Sequence, residues 1–198
     1  MRLLLGISLV ALLSTSAQSQ VVVVSNPAYY ESVTRSALAE AVEALEDETR
    51  GKVLEIRFAR DADDEASFEV VLVADDELVY MRAYPVTDIL EVLEIAELPP
   101  WMAGWTLTAY MRSIAKAEVP LTAAILQAEE AEDAPAIAAG LANPLSATTA
   151  VLAYNIELIR GDRPVRVAID ARTGRRIANP EALYERWTPT ELVRRTIR

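Results

Sequence analysis

One pattern of apolar residues occurs twice in the chain, and this repetition limits the possible folds more than any other sequence feature. At a shift of 86 residues, apolar positions of the first half fall on those of the second: Phe68 on Tyr154, Val70 on Ile156, Leu72 on Leu158 and Ala37 on Ala123. Each half has a helical pattern followed by alternating strand patterns. The repetition therefore predicts two copies of one α+β unit, each a helix packed on a small antiparallel sheet.

The first unit, residues 25–95, begins with a predicted helix over residues 32–49. Leu38, Val42 and Leu45 form an apolar stripe at helical spacing, and Gly51 stands where a left-handed C-cap is expected. Three strands follow, over residues 53–58, around residues 68–72 and over residues 78–84. Pro85 ends the third strand, because proline cannot donate to a sheet ladder.

The second unit, residues 120–178, follows the same order. The pattern predicts a helix over residues 121–132, a weak strand over 136–141, and strong strands over 152–159 and 165–170. Residues 160–163 form the hairpin turn between the last two strands. Pro99 and Pro100 break the chain before a connecting helix within residues 96–119, and short C-terminal helices are expected within residues 179–198.

The N-terminus has the composition of a secretory signal peptide. Arg2 precedes an apolar run from residue 3 to residue 13, and small and polar residues follow it. This run is too short to span a bilayer, which needs about 20 apolar residues. We therefore expect residues 1–17 to be removed, with a cut after Ser19 as the alternative. The mature protein would be periplasmic or secreted, without a stable membrane span.

The absence of both cysteine and histidine restricts the chemistry of the chain. It excludes Ser-His-Asp and Cys-His catalysis and the usual zinc ligands, and it leaves the fold without disulfides. Ser113 and Lys116 match the S-x-x-K pattern, but the K-T-G element that accompanies it in penicillin-recognising enzymes is missing. We therefore expect no enzyme, no catalytic residue and no cofactor.

Acidic and basic residues are unevenly distributed along the chain. Residues 31–100 carry 19 acidic and 6 basic residues, whereas residues 160–198 carry 5 acidic residues and 10 arginines. The formal net charge of −11 makes nucleic acid an improbable partner. The imbalance is explained by solvated faces, or by charge complementarity between the halves or with a partner.

Five residues are candidates for binding a partner. Trp101 and Trp105 lie one helical turn apart, where they could contact a partner or pack in the core. Arg172, Arg175 and Arg176 follow the last strand, where they could bind carboxylates or lie in a solvated turn.

An acidic tract could bind a cation such as calcium, which prefers oxygen ligands. It consists of Asp61, Asp63, Asp64 and Glu65. The tract lacks the spacing of an EF-hand loop, so we favour a solvated hairpin connection and predict no metal site.

The end of the second unit resembles the PepSY domain family. The strand that begins at Tyr154, a tight turn, a second strand, and the run from Asp170 through Thr173 to Gly174 are similar to the family's final hairpin and D-A-x-T-G turn. In such a turn the aspartate accepts backbone hydrogen bonds and the glycine takes a positive φ. The resemblance covers about residues 120–178 and, more loosely, about residues 32–88, where Pro85 and the residues after it replace the turn.

The resemblance implies a small α+β module of exported bacterial proteins that is associated with the inhibition or regulation of peptidases and has no catalytic residues. We therefore expect a non-catalytic interaction or regulatory module of the cell envelope, whose partner is another envelope protein. The alternatives are an inhibitor or chaperone of a secreted or periplasmic peptidase, and a binder of a small ligand or cation. The sequence leaves the oligomeric state open.

Overall fold

The computed structural model describes residues 33–60, 64–74, 77–84, 89–96, 112, 114–142 and 152–178. Two long helices and seven strands occur in these ranges: α1 (Ala37–Thr49), β1 (Lys52–Arg60), β2 (Ala66–Ala74), β3 (Glu77–Tyr84), β4 (Ile89–Ala96), α2 (Leu121–Glu132), β5 (Ala136–Leu141), β6 (Ala153–Arg160) and β7 (Arg163–Asp170). The α+β architecture and the antiparallel pairing of the strands are as the sequence predicts.

All seven strands belong to one antiparallel sheet with the order β4-β3-β2-β1-β5-β6-β7. The two halves of the chain meet at a short seam, in which β1 pairs with β5 through Glu55–Gly140, Ile56–Ala139 and Arg57–Ala138. Helices α1 and α2 contact each other and pack on the sheet, so one continuous core joins both halves. Its largest fully buried side chains include Leu38, Ile56, Ile125 and Ile156.

The two halves are related by an approximate twofold axis at the seam. Ile56 pairs with Val70 in one half, as Ala139 pairs with Ile156 in the other, so Ile56 and Ala139 are equivalent positions. These two equivalent residues also pair with each other across the seam. An axis through the Ile56–Ala139 pair would relate the sheet positions of Val70 and Ile156, whereas the identity of the two halves as copies of one PepSY-like unit stays a prediction.

The buried carboxylate of Glu129 links the two halves near the start of α1. It lies on α2 with 2% of its surface exposed. One of its oxygens accepts a hydrogen bond from the Ser36 backbone N–H at 2.9 Å, and the other accepts one from the Ala136 N–H at 2.8 Å. The carboxylate thus satisfies backbone donors at the ends of two elements, where an unpaired buried donor would be costly.

The boundaries of α1 differ from the prediction. The helix begins at Ala37 rather than at residue 32, after Ser36 in a left-handed conformation. Its C-cap is also left-handed, but the residue is Arg50, with φ 52°, and not Gly51 as predicted. Gly51 is needed for a different reason, because a Cβ atom there would lie 2.7 Å from the Val73 carbonyl oxygen.

Strand β4 is absent from the sequence-based prediction. Its register with β3 shifts between Tyr80 and Met81, which lie opposite Glu94 and Val92. In the sequence, Val92 and Leu93 are consecutive apolar residues and Glu91 and Glu94 are three positions apart, so apolar and polar residues do not alternate. The pattern that predicts a half-buried strand is therefore broken, although the strand itself is eight residues long.

The turn after β7 has the conformation that its residues predict. The Asp170 carboxylate accepts hydrogen bonds from the Arg172 and Thr173 N–H groups at 2.8 and 2.9 Å, and Gly174 has φ 68°. Burial alone would raise the pKa of Asp170, but these hydrogen bonds hold it below its ordinary value.

The chain then turns back along the outer edge of β7. The Ile177 N–H donates to the Ala168 carbonyl, and the Asp170 N–H donates to the Arg175 carbonyl, both at 2.8 Å. Residues 175–177 therefore cover one end of this edge.

Several predicted segments lie outside the described residues. These are the signal peptide at 1–17, most of the connecting helix within 96–119, and the C-terminal helices within 179–198. Of the connecting segment, Arg112 and Ile114 are helical and a turn follows them. Within the described ranges, no helix has the length and apolar character that crossing a bilayer requires.

Candidate functional site

A cleft of about 210 Å³ opens where the start of α2 approaches α1 and the first residues of β1. We call it the inner cleft. Its walls are largely apolar, with Val42, Val53, Ile114, Leu121 and Leu141 among its lining side chains. The segment before α2 forms one wall and is held to the sheet, because the N–H groups of Glu118 and Val119 both donate to the Ala171 carbonyl at 2.9 Å.

Three polar side chains of the inner cleft are fixed by hydrogen bonds. The Glu46 carboxylate accepts from the Lys52 ammonium at 2.7 Å and from the Val53 N–H at 3.1 Å. The Tyr154 hydroxyl donates to the Val119 carbonyl at 3.0 Å. Burial raises the pKa of the Tyr154 phenol to about 12, and the charge of Glu46 adds to this rise. The phenol is therefore neutral at physiological pH.

A second cleft, of about 330 Å³, lies between α1 and α2 on their solvent side. We call it the outer cleft. Its lining residues are Ser36, Ala39, Glu40, Glu43, Glu46, Asp47, Thr122 and Leu126. Four carboxylates of α1 thus line one wall, whereas α2 contributes a threonine and an exposed leucine. Among the described residues, no basic side chain is part of this lining.

The two clefts adjoin at Glu46 and Thr122, because both residues line both clefts. We call the combined surface the helix groove. It offers an apolar depression at one end, an acidic wall along α1 and fixed polar groups where the clefts meet. These are features that bind an amphipathic segment, because apolar pockets bury side chains while charges select the sign of the partner.

The three candidate arginines lie together after β7, but their surroundings differ. Arg176 forms an ion pair with the carboxylate of Glu132 on α2, which also pairs with Arg160. Arg172 and Arg175 are exposed. Arg176 is therefore paired within the chain, whereas Arg172 and Arg175 stay candidates for binding another protein.

The other candidates are only partly described. Trp101, Trp105, Ser113, Asp61 and Asp63 lie outside the described residues, and Lys116 is exposed.

The described end of the acidic tract gives no support to a cation site. The Asp64 backbone carbonyl accepts a hydrogen bond from Arg60 at 2.9 Å, and its carboxylate lies 3.5 Å from the same guanidinium. Among the described residues, no group of three or more His, Cys, Asp or Glu side chains is placed to hold a metal ion.

A row of charged residues also crosses the sheet. In register, Arg82 lies opposite Glu69, which lies opposite Arg57; beyond Ala138 in the seam, Glu157 lies opposite Arg166. The Arg82–Glu69 and Arg166–Glu157 pairs approach to 3.4 and 3.7 Å. Because the signs alternate, each glutamate of this row lies next to at least one arginine, whereas the acidic wall of the helix groove is a run of like charges.

Sequence reasoning alone does not identify the helix groove. Glu46 and Tyr154 belong to different halves, and they approach only because β1 and β5 pair. The one local signal is the spacing of Glu40, Glu43 and Asp47 along α1, which places three acids on neighbouring turns. A solvated helix face has the same spacing, so this signal is weak.

Comparison with protein-family models and with curated proteins finds no match. Among solved structures, the crystal structure of a candidate lipoprotein from Clostridium difficile 630 is similar at a TM-score of 0.40 and 16% sequence identity, covering 70% of this chain and 88% of that chain. Similarity at this level supports no argument about function. The PepSY resemblance stays a prediction, and the helix groove has to be judged on its own geometry.

Proposed function

We propose that the protein is an exported, non-catalytic interaction module of the bacterial cell envelope that binds another envelope protein through the helix groove. Two adjoining clefts between α1 and α2 are the observation that carries this proposal. Export is proposed from the signal-peptide pattern of residues 1–17, and a non-catalytic role from the absence of histidine and cysteine.

The size and shape of the clefts favour a protein segment over a metabolite. Sites for small molecules are usually enclosed and hold roughly 300–1,000 Å³. The inner cleft, at about 210 Å³, is below this range, and the outer cleft, at about 330 Å³, is at its lower end but is an open surface groove lined by exposed carboxylates. A row of shallow depressions instead fits successive side chains of a polypeptide segment.

The groove is also well supported by the fold. Its walls are two packed helices, and its base includes Tyr154 of β6, whose hydroxyl is hydrogen-bonded. A rigid surface binds with a smaller loss of conformational entropy than a loop that must become ordered. The helix groove therefore provides a preformed interface.

Inhibition or chaperoning of a peptidase is the second candidate, and the edges of the sheet bear on it. An inhibitor that adds a strand to a substrate cleft needs an open edge. At β7, residues 175–177 bond to part of the edge, and Pro164 has no N–H to donate. Within the described part of the chain, the other edge strand is β4, which is eight residues long and contains no proline, and this edge favours the second candidate.

In-cell photocrosslinking tests the leading proposal. A benzophenone amino acid replaces Thr122, which lines both clefts, and Asp162, an exposed residue in the hairpin turn between β6 and β7 that lines neither cleft, is replaced as the control. We expect one envelope protein, identified by mass spectrometry, to be crosslinked from position 122 and not from position 162.

Equal products from both positions, or none from position 122, would contradict binding through the groove. For the second candidate, stoichiometric protein should inhibit a secreted peptidase. Absence of inhibition across serine, cysteine and metallopeptidases would exclude it.

A further inference from the structure

We propose that the helix groove selects a basic amphipathic segment of its partner, with apolar side chains seated in the groove and lysine or arginine along α1. This inference rests on the proposed function and adds the chemical class of the partner. It follows from the charge and the apolar surface that the two clefts bring together.

The acidic wall has no charge compensation within the lining of the outer cleft. Glu40, Glu43 and Asp47 are exposed, and they recur at intervals of three and four residues along α1. Glu46 already pairs with Lys52, so the uncompensated charge lies on the outer three residues. A basic segment would complement this charge, whereas an acidic segment would be repelled.

The opposite wall supplies an apolar contact. Leu126 of α2 has 47% of its surface exposed. Among the described residues, it is the large apolar side chain that is exposed to solvent. It lines the outer cleft together with Ala39 of α1. Exposed apolar area beside charged residues is typical of a surface that a partner covers.

The inner cleft extends this apolar surface past Glu46. Val42 and Leu121 line it, and Thr122 is shared with the outer cleft. A segment lying along α1 would therefore meet acidic and apolar positions together, which is how an amphipathic helix is recognised in a groove. An anionic membrane surface is disfavoured as the occupant, because its charge has the same sign as the wall.

The probe for a binding test is a fluorescent helical peptide of lysine and leucine, compared with the same peptide carrying glutamate in place of each lysine. Anisotropy titrations use the full mature chain. We expect saturable binding of the lysine peptide, no binding of the glutamate peptide, and weaker binding as salt is raised, because salt screens exposed charges.

A matched pair of variants locates the binding surface. E43Q/D47N removes two charges from the outer cleft, whereas E48Q/E130Q removes two exposed charges of α1 and α2 that do not line it. The first variant should raise the Kd for the lysine peptide by roughly tenfold, and the second should raise it by less than about twofold. L126N should also weaken binding of the lysine peptide, although it leaves the charge of the groove unchanged.

Equal weakening by both double variants would show a response to net charge alone and would overturn the inference, as would equal binding of the two peptides. Failure of this inference is distinguishable from failure of the proposed function. If position 122 crosslinks a specific partner but the lysine peptide does not bind the groove, the interaction module stands and its basic selectivity is wrong.

Discussion

At the scale of single residues, Glu129 provides the sharpest test of the packing between the halves. Its carboxylate accepts hydrogen bonds from the Ser36 and Ala136 N–H groups. In E129Q the amide NH₂ replaces one acceptor, so one N–H would face a donor inside the core. We expect a loss of about 2 kcal/mol in the free energy of unfolding.

Urea titration of E129Q measures this loss, and E130Q, which changes the exposed neighbouring glutamate, is the control. If the two variants are equally stable, the buried hydrogen bonds contribute little.

Tyr154 makes a prediction about alkaline pH. Its pKa is raised to about 12 in the folded protein, above the ordinary value of 10.0. Because the pKa of Tyr154 is higher in the folded than in the unfolded protein, its neutral phenol contributes fully to stability below the pKa of the unfolded state. This contribution is lost as the pH rises toward the pKa of the folded state. Between these values stability should fall by up to about 1.4 kcal/mol per pH unit from this group.

Y154F should remove this part of the pH dependence, while the other tyrosines titrate equally in both proteins. Unfolding in urea at pH values on either side of 10 measures the difference. Parallel pH profiles of the two proteins would show that the phenol ionises without cost.

The roles of residues are predictable from sequence where their causes are local. Asp170 and Gly174 act within a single turn, and their hydrogen bonds and φ value agree with the prediction. Gly51 differs, because the carbonyl that excludes a side chain there belongs to Val73 on another strand. Glu46 and Tyr154 of the helix groove are likewise far apart in the sequence, so their proximity cannot be predicted from local patterns.

At the scale of elements, the seam between β1 and β5 is short and closely packed. A Cβ atom on Gly140 would lie 3.0 Å from the Leu54 carbonyl oxygen and 3.1 Å from Glu55 Cγ. G140A should therefore push the two strands apart, at a cost of roughly 1–3 kcal/mol.

The control for this change is G161N in the hairpin turn. A Cβ atom there would meet no described atom within 4 Å apart from its chain neighbours, and asparagine tolerates the φ of 63°. Thermal unfolding compares the two variants. Equal stability of G140A and the parent would mean that the seam can accommodate a methyl group.

The predictability of the elements depends on how regular their patterns are. Helix α2 and strand β5 have the predicted bounds, because Pro120 precedes the helix and Pro135 separates it from the strand. Strand β4 is not predicted because its apolar and polar residues do not alternate, and the predicted α1 is too long because the left-handed Ser36 has no sequence signature.

At the scale of the whole molecule, one sheet and one core extend across both halves. We expect the mature chain to unfold in a single cooperative transition, because neither half can lose its structure without exposing the seam and the contact between α1 and α2. Far-ultraviolet circular dichroism and the NMR signals of backbone amides in β2 and β6, one strand from each half, should give coincident urea midpoints. Two separate transitions would contradict this coupling.

The sequence predicts the two units from their repetition but not their arrangement. The pairing of β1 with β5 depends on long-range contacts between Ile56 and Ala139, and small residues such as Ala138 and Ala139 carry little pattern. The helix groove is a product of that arrangement, since it exists only where the helices of the two halves pack side by side.

The axis through Ile56 and Ala139 has a consequence in evolutionary terms. Equivalent strands of the two halves face each other there, as identical strands do in a symmetric homodimer. Duplication and fusion of the gene for such a subunit would produce this arrangement directly. Two copies joined in one chain need not remain alike, so one could acquire the acids of α1 while the other acquired Leu126.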